Sequence, residues 1–127
     1  MKTLINCLAI GGAGFVGALA RYGVILIFGR WPTTFPVGTF VINVTGSAFL
    51  GWFLTIMGSR AIGPHSETLR LAIATGFVGA YTTFSTYMWE SSKLASDGAL
   101  LEMFTYLFGS LAVGLIGVRL GIYLARL

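Results

Sequence analysis

Charge is what this sequence has least of: charged residues are 9% of the 127, against 56% hydrophobic. A soluble domain normally carries about a quarter charged residues, and a mean hydropathy of +0.86 places the chain with integral membrane proteins instead. Cysteine occurs once, at Cys7, which excludes an intrachain disulfide and reads as a small hydrophobe rather than a reactive thiol. Histidine also occurs once, at His65, with no cysteine or carboxylate at ligand spacing, so it does not announce a metal site. The four carboxylates, Glu67, Glu90, Asp97 and Glu102, fall near span ends or in connectors, and Ser85 has no histidine near it in sequence. No enzyme's acid, base and nucleophile can be assembled from them. The eight basic residues are scattered and form no patch of the kind that binds nucleic acid.

What the chain does have is apolar length. Four stretches, at about 4–28, 37–57, 69–94 and 100–124, each approach the ~20 residues a helix needs to cross a bilayer. The expected architecture is an all-α membrane protein, residues 1–127 forming one four-helix transmembrane domain. Ala18-Leu19-Ala20 resembles a signal-peptide cleavage site, but apolar sequence continues past it to Phe28, so the first stretch reads as a span. With four spans, Lys2, Arg60, Arg70 and Arg126 share one side with Arg119, while Arg30 and Lys93 share the other with Arg21. So weak a bias sets no firm orientation, which is the balance a chain inserting both ways would need.

Glycine is concentrated in the first and last spans, including Gly117 and Gly121 in a Gly-x-x-x-Gly spacing, where small residues let membrane helices approach closely. The first connector mixes Pro32 and Pro36 with Trp31 and Phe35, suited to the headgroup region. In the second span Thr39, Asn43 and Ser47 recur every four residues and share a helical face, able to join helices or line an aqueous path. Arg21 sits late in span one among apolar residues, where a charge faces protein or water, or snorkels to the interface.

The most specific pattern is in span three, from Gly76 to Tyr87. Lipid cannot satisfy free backbone polar groups, so irregular chain at that depth survives only inside protein or against a water-filled path. Gly79 and the pair Thr82-Thr83 stand where a helix break would free carbonyl oxygens, which attract a cation. Phe84 and Tyr87 are three apart, with the hydroxyls of Ser85 and Thr86 between them. Ring edges are electropositive, so edge-on aromatics beside O–H donors can favour an anion without a full charge to trap it.

These residues resemble the Fluc (CrcB-type) fluoride channel family across all four spans. The motifs are Gly76-Phe77-x-Gly79-x-x-Thr82-Thr83-Phe84-Ser85-Thr86 followed by Glu90, Gly14-x-x-Gly17-x-x-x-Arg21, and Gly38-Thr39-x-x-x-Asn43-x-x-Gly46. The resemblance implies a fluoride-selective channel of the bacterial cytoplasmic membrane: an antiparallel, dual-topology homodimer with two pores and a structural sodium ion on its axis. It further implies sodium ligation by the backbone carbonyls of Gly79 and Thr82, and a fluoride path along Phe84, Tyr87, Asn43, Ser110, Ser85, Thr86 and Thr39. Arg21 resembles the family's vestibule arginine. Two positions depart from the pattern, Tyr87 where the family usually has phenylalanine and Met88 where it has serine. The rival architecture, a small dual-topology multidrug exporter, wants a carboxylate in the first span, and this span has none.

Overall fold

A computed structural model of the chain describes residues 1–30, 33–59, 63 and 66–127. Trp31 and Pro32 of the first connector, and Arg60 and His65 of the second, lie outside the described residues, so their expected roles have no structural counterpart here.

Among the described residues three helices are long and apolar enough to cross a membrane: α1 (Lys2–Phe28), α2 (Val37–Ser59) and α5 (Leu100–Leu124). Between α2 and α5 the chain makes two shorter pieces. The first, α3 (66–81), opens as an α-helix over Ser66–Arg70, widens to a π-helix over Leu71–Val78 and closes with the α-helical turn Gly79–Tyr81. The second is α4 (Phe84–Ser96). An eight-residue π stretch is long for a form usually met as a single-turn bulge.

Contacts fix the directions of the helices. Lys2 pairs with Glu67, Thr68 donates to Asn6, and Gly14 and Gly17 face Gly76 and Phe77. Residue numbers rise together, so α1 and α3 run parallel. The same holds for α2 and α5, where Val44 meets Gly117 and Ala48 meets Gly121 along one ridge, and Ser47 meets Gly114 and Gly51 meets Val118 along the next. Gly38 packs on Ile25 and Phe28, which closes α1 and α2 as an antiparallel hairpin. Gly98, at φ +78°, supplies the left-handed turn that reverses α4 into α5, a conformation glycine adopts at no steric cost. The path is therefore up, down, up in two halves, and down.

Glycine sets the depth of both parallel seams. A Cβ on Gly17 would strike the Phe77 carbonyl and one on Gly121 the Ala48 carbonyl, and one on Gly76 would lie 2.6 Å from the Ile10 oxygen. Without a strong hydrophobic drive between helices in lipid, this backbone approach is what holds such helices together. The outer surface is apolar, with Leu4, Leu8, Phe15, Leu101, Phe104 and Leu115 all exposed. The buried centre is small and aromatic: Tyr87, Leu94 and Tyr106, with Phe35 and Phe40 packed on them. Phe35 meets Tyr106 edge-on at 5.3 Å, and Tyr87 meets Tyr106 likewise at 5.0 Å, the favoured geometry for aromatic pairs.

Candidate functional site

The gap between α3 and α4 is two residues wide, and it organises the site. Thr82 and Thr83 are extended (ψ 160° and 119°), so the helix stops at Tyr81 and restarts at Phe84. Thr83 begins the new helix through its own side chain, which accepts the Thr86 N–H at 3.3 Å and donates to the Thr86 hydroxyl at 3.0 Å. Its backbone is served from across the structure. Asn43 accepts the Thr83 N–H through Oδ1 at 2.9 Å and donates to the Thr83 carbonyl through Nδ2 at 3.1 Å. One amide side chain thus replaces both lost helical partners of a single residue, where an unmatched buried group would cost about 1–3 kcal/mol.

Beside this joint is a cavity of about 370 Å³, open on one side, bounded by α2, the joint and α5. Its polar lining is Asn43, Ser47, Thr82, Thr83, Tyr87 and Ser110; the remainder is apolar, including Phe84, Leu111 and Val118. Among the described residues no charged side chain lines it. The Tyr87 hydroxyl donates to the Leu107 carbonyl at 2.7 Å. Ser110 differs in being buried without a partner: its hydroxyl oxygen is inaccessible and has no hydrogen bond among the described residues.

Thr39 lies in a separate polar knot. Its hydroxyl donates to Glu90 Oε1 at 3.0 Å, and the Tyr106 hydroxyl donates to Glu90 Oε2 at 2.7 Å. Glu90 is half-buried within α4 and takes one short hydrogen bond at each carboxylate oxygen. Thr39, Asn43 and Ser47, the stripe read from the sequence, therefore divide in space: the first to the knot, the second to the joint, the third to the cavity wall.

The other expected site residues fall as follows. Phe84 stands at the cavity mouth with 73% of its surface exposed and its ring 6.1 Å from that of Tyr87. Thr86 is tied to Thr83, and Ser85 is exposed with its hydroxyl 3.5 Å from that of Thr83; neither lines the cavity. Thr82 does line it, while its hydroxyl donates to the Val78 carbonyl at 2.9 Å. Arg21 is half-buried on α1, away from the cavity, and makes no ion pair among the described residues. The donors that would ordinarily serve the carbonyls of Gly79 and Thr82 are engaged elsewhere: Thr83 N–H on Asn43, Thr86 N–H on the Thr83 hydroxyl. Both carbonyls end a helix, where backbone oxygens carry partial negative charge.

Glu90, Tyr106 and Ser47 belong to the polar groups of this region without having been singled out as site residues. Glu90 had a sequence signal, since it closes the span-three motif six residues after Phe84. Tyr106 had none, because its partner lies 16 residues away on another helix.

Comparison with known proteins bears on the whole chain. The family described as CrcB-like protein, Camphor Resistance (CrcB), matches residues 8–122. A fluoride-specific ion channel FluC of Prosthecochloris aestuarii is 41% identical over 119 residues, covering 94% of this chain and 91% of its own. One from Acidobacterium capsulatum is 47% identical over 114 residues, covering 89% and 88%. The fluoride-specific ion channel FluC 1 of Moorella thermoacetica is 43% identical over 122 residues, covering 94% and 84%.

Proposed function

This chain belongs to the CrcB-like family, and on that premise we propose that it is a passive, fluoride-selective channel of the bacterial cytoplasmic membrane that lowers fluoride inside the cell. The observation that carries the proposal is the cavity: neutral donors, ring edges, no fixed charge, and one buried hydroxyl left without a partner. Leaving water for a low-dielectric interior costs an unpaired ion tens of kcal/mol by idealised Born estimates, so donors must replace that water along the path. Ser110 offers a free O–H. Asn43 spends one of its two amide hydrogens on the Thr83 carbonyl and keeps the second. Phe84 and Tyr87 contribute aromatic edges, and Ser85 and Thr86 extend the run of hydroxyls beyond the cavity, whereas the one hydroxyl hydrogen of Thr39 is committed to Glu90. A full positive charge on this wall would hold the anion, whereas conduction needs sites weak enough to leave. Arg21 lies on α1 away from this cavity, so a vestibule role for it depends on the assembled dimer.

The active unit in this proposal is an antiparallel homodimer with two pores. The open cavity needs a far wall beside Phe84, and a second copy supplies it. The carbonyls of Gly79 and Thr82 suit a sodium ion: hard, neutral oxygens at a helix C-terminus, freed by the Asn43 and Thr83 contacts. Two carbonyls are too few for one ion, and two from each copy make four. Bound there, the ion would supply fixed positive charge that ties the copies together.

Protein reconstituted in liposomes is expected to release fluoride and retain chloride when potassium is shunted by valinomycin; comparable chloride release would refute selectivity. Cysteine crosslinking is expected to trap antiparallel pairs, and exclusively parallel pairs would end the dual-topology proposal.

A further inference from the structure

Tyr87 is 5% exposed, lies edge-on against Tyr106, and donates its phenolic hydrogen to the Leu107 carbonyl at 2.7 Å. Leu107 precedes Ser110 by three residues, and its carbonyl is one of the two backbone acceptors to which a helical serine ordinarily turns. Six hydroxyls of this protein follow that habit, although Ser47 on the same cavity wall does not. Thr45, Thr55, Ser59, Thr82, Ser91 and Ser96 each donate to a carbonyl three or four residues back, and Ser59 uses the three-back acceptor. Ser110, buried where such a bond would be most valuable, makes none.

We propose that the Tyr87 hydroxyl is a positioning group for Ser110: by occupying the Leu107 carbonyl it fastens α4 to α5 and withdraws the three-back acceptor, keeping the serine O–H available to the cavity. A carbonyl oxygen has two lone pairs. The helical N–H of Leu111 takes one at Leu107 and the tyrosine takes the other. The four-back carbonyl, at Tyr106, carries the helical bond from Ser110's own amide and keeps its second lone pair, so Tyr87 withdraws one of the two acceptors and not both. The phenol's only hydrogen is thereby committed to α5. Tyr87 then meets a permeating anion with its ring edge and acts on it through Ser110. This rests on reading the cavity as an anion path.

The test compares fluoride efflux from liposomes for wild type, Tyr87→Phe, Ser110→Ala and the double variant. Tyr87→Phe is expected to slow efflux about fivefold to tenfold, the scale of one neutral hydrogen bond. Ser110→Ala is expected to slow it at least as much, and the double variant no further than Ser110→Ala. Losses that multiply in the double variant, or an unslowed Tyr87→Phe, overturn the proposal. Thermal midpoints in detergent separate a purely structural staple, which would lower stability equally in both backgrounds and leave efflux per folded channel intact. A structure of Tyr87→Phe reads the point without flux. Ser110 Oγ bonded to the Leu107 carbonyl supports the proposal, and an unmoved, unpartnered Ser110 overturns it. Absence of fluoride efflux from wild type would strike the channel proposal alone, since that rotamer still decides this one.

Discussion

The seam between α2 and α5 and the joint between α3 and α4 solve opposite problems a few residues apart. The seam closes by removing side chains: Gly117 and Gly121 let backbone rest on backbone from Val44 to Trp52, and no polar side chain is needed. The joint closes by adding them, since a broken helix has backbone groups to satisfy and Asn43 and the Thr83 hydroxyl supply the partners. Where helices remain whole, their peptide groups bond internally and small residues suffice. Where one breaks, the freed groups need partners from outside the helix, which Asn43 and the Thr83 hydroxyl supply to Thr83 and Thr86. Polar residues thus collect at the break, and the one whose hydroxyl is buried without a partner among the described residues, Ser110, lies on the whole helix that faces it.

The sharpest test of that contrast is Asn43→Leu. It leaves the Thr83 N–H and carbonyl unmatched, at about 1–3 kcal/mol each, so thermal unfolding in detergent should begin well below wild type and fluoride efflux should fall to background. A stable, conducting Asn43→Leu protein would mean the joint does not depend on this clamp. The seam should fail for a different reason. Gly121→Val puts a side chain into the Ala48 carbonyl, an overpacking worth about 1–3 kcal/mol. Gly23→Ala, whose Cβ meets nothing within 4 Å, should leave the midpoint level or slightly higher, because alanine is the better helix former. Equal losses at the two glycines would show that packing depth is not what the seam requires.

The smallest effect is expected at the start of α3. Glu67 is held below its ordinary pKa of 4.5 by the hydrogen bond from Lys2 and then by the Lys2 charge, with Arg70 adding to it. Its folded-state pKa is depressed. The stabilisation is therefore complete above the ordinary value and disappears as pH falls through the lowered one. Both side chains are well exposed, so Glu67→Gln should lower the midpoint only slightly at pH 7, and the gap should close on acidification. A gap that widens in acid would contradict the pairing.

Much of the helical layout could be read from the chain, because hydropathy and turn chemistry are local. The apolar runs, Gly98 between α4 and α5, and the Gly79-x-x-Thr82-Thr83 interruption each lie within a few residues of the feature they encode. The π-helical widening over Leu71–Val78 could not, since nothing in Leu-Ala-Ile-Ala-Thr-Gly-Phe-Val distinguishes it from an ordinary apolar helix. The site was legible as a list of residues and not as an arrangement. Asn43 carries no mark that its partner is 40 residues away, and Tyr87 none that its hydroxyl belongs to Leu107, 20 residues on.

The sequence by itself settled membrane residence and the place where the third pass must break, for both follow from the cost of exposing charge or backbone to lipid. Only the tertiary structure decided which polar groups are consumed and which remain. Thr39 goes to Glu90, Asn43 to Thr83 and Tyr87 to Leu107, while Ser110 is left over. A hydrogen bond is a matter of a few ångströms between atoms far apart in the chain, and those distances come into being only when the helices pack.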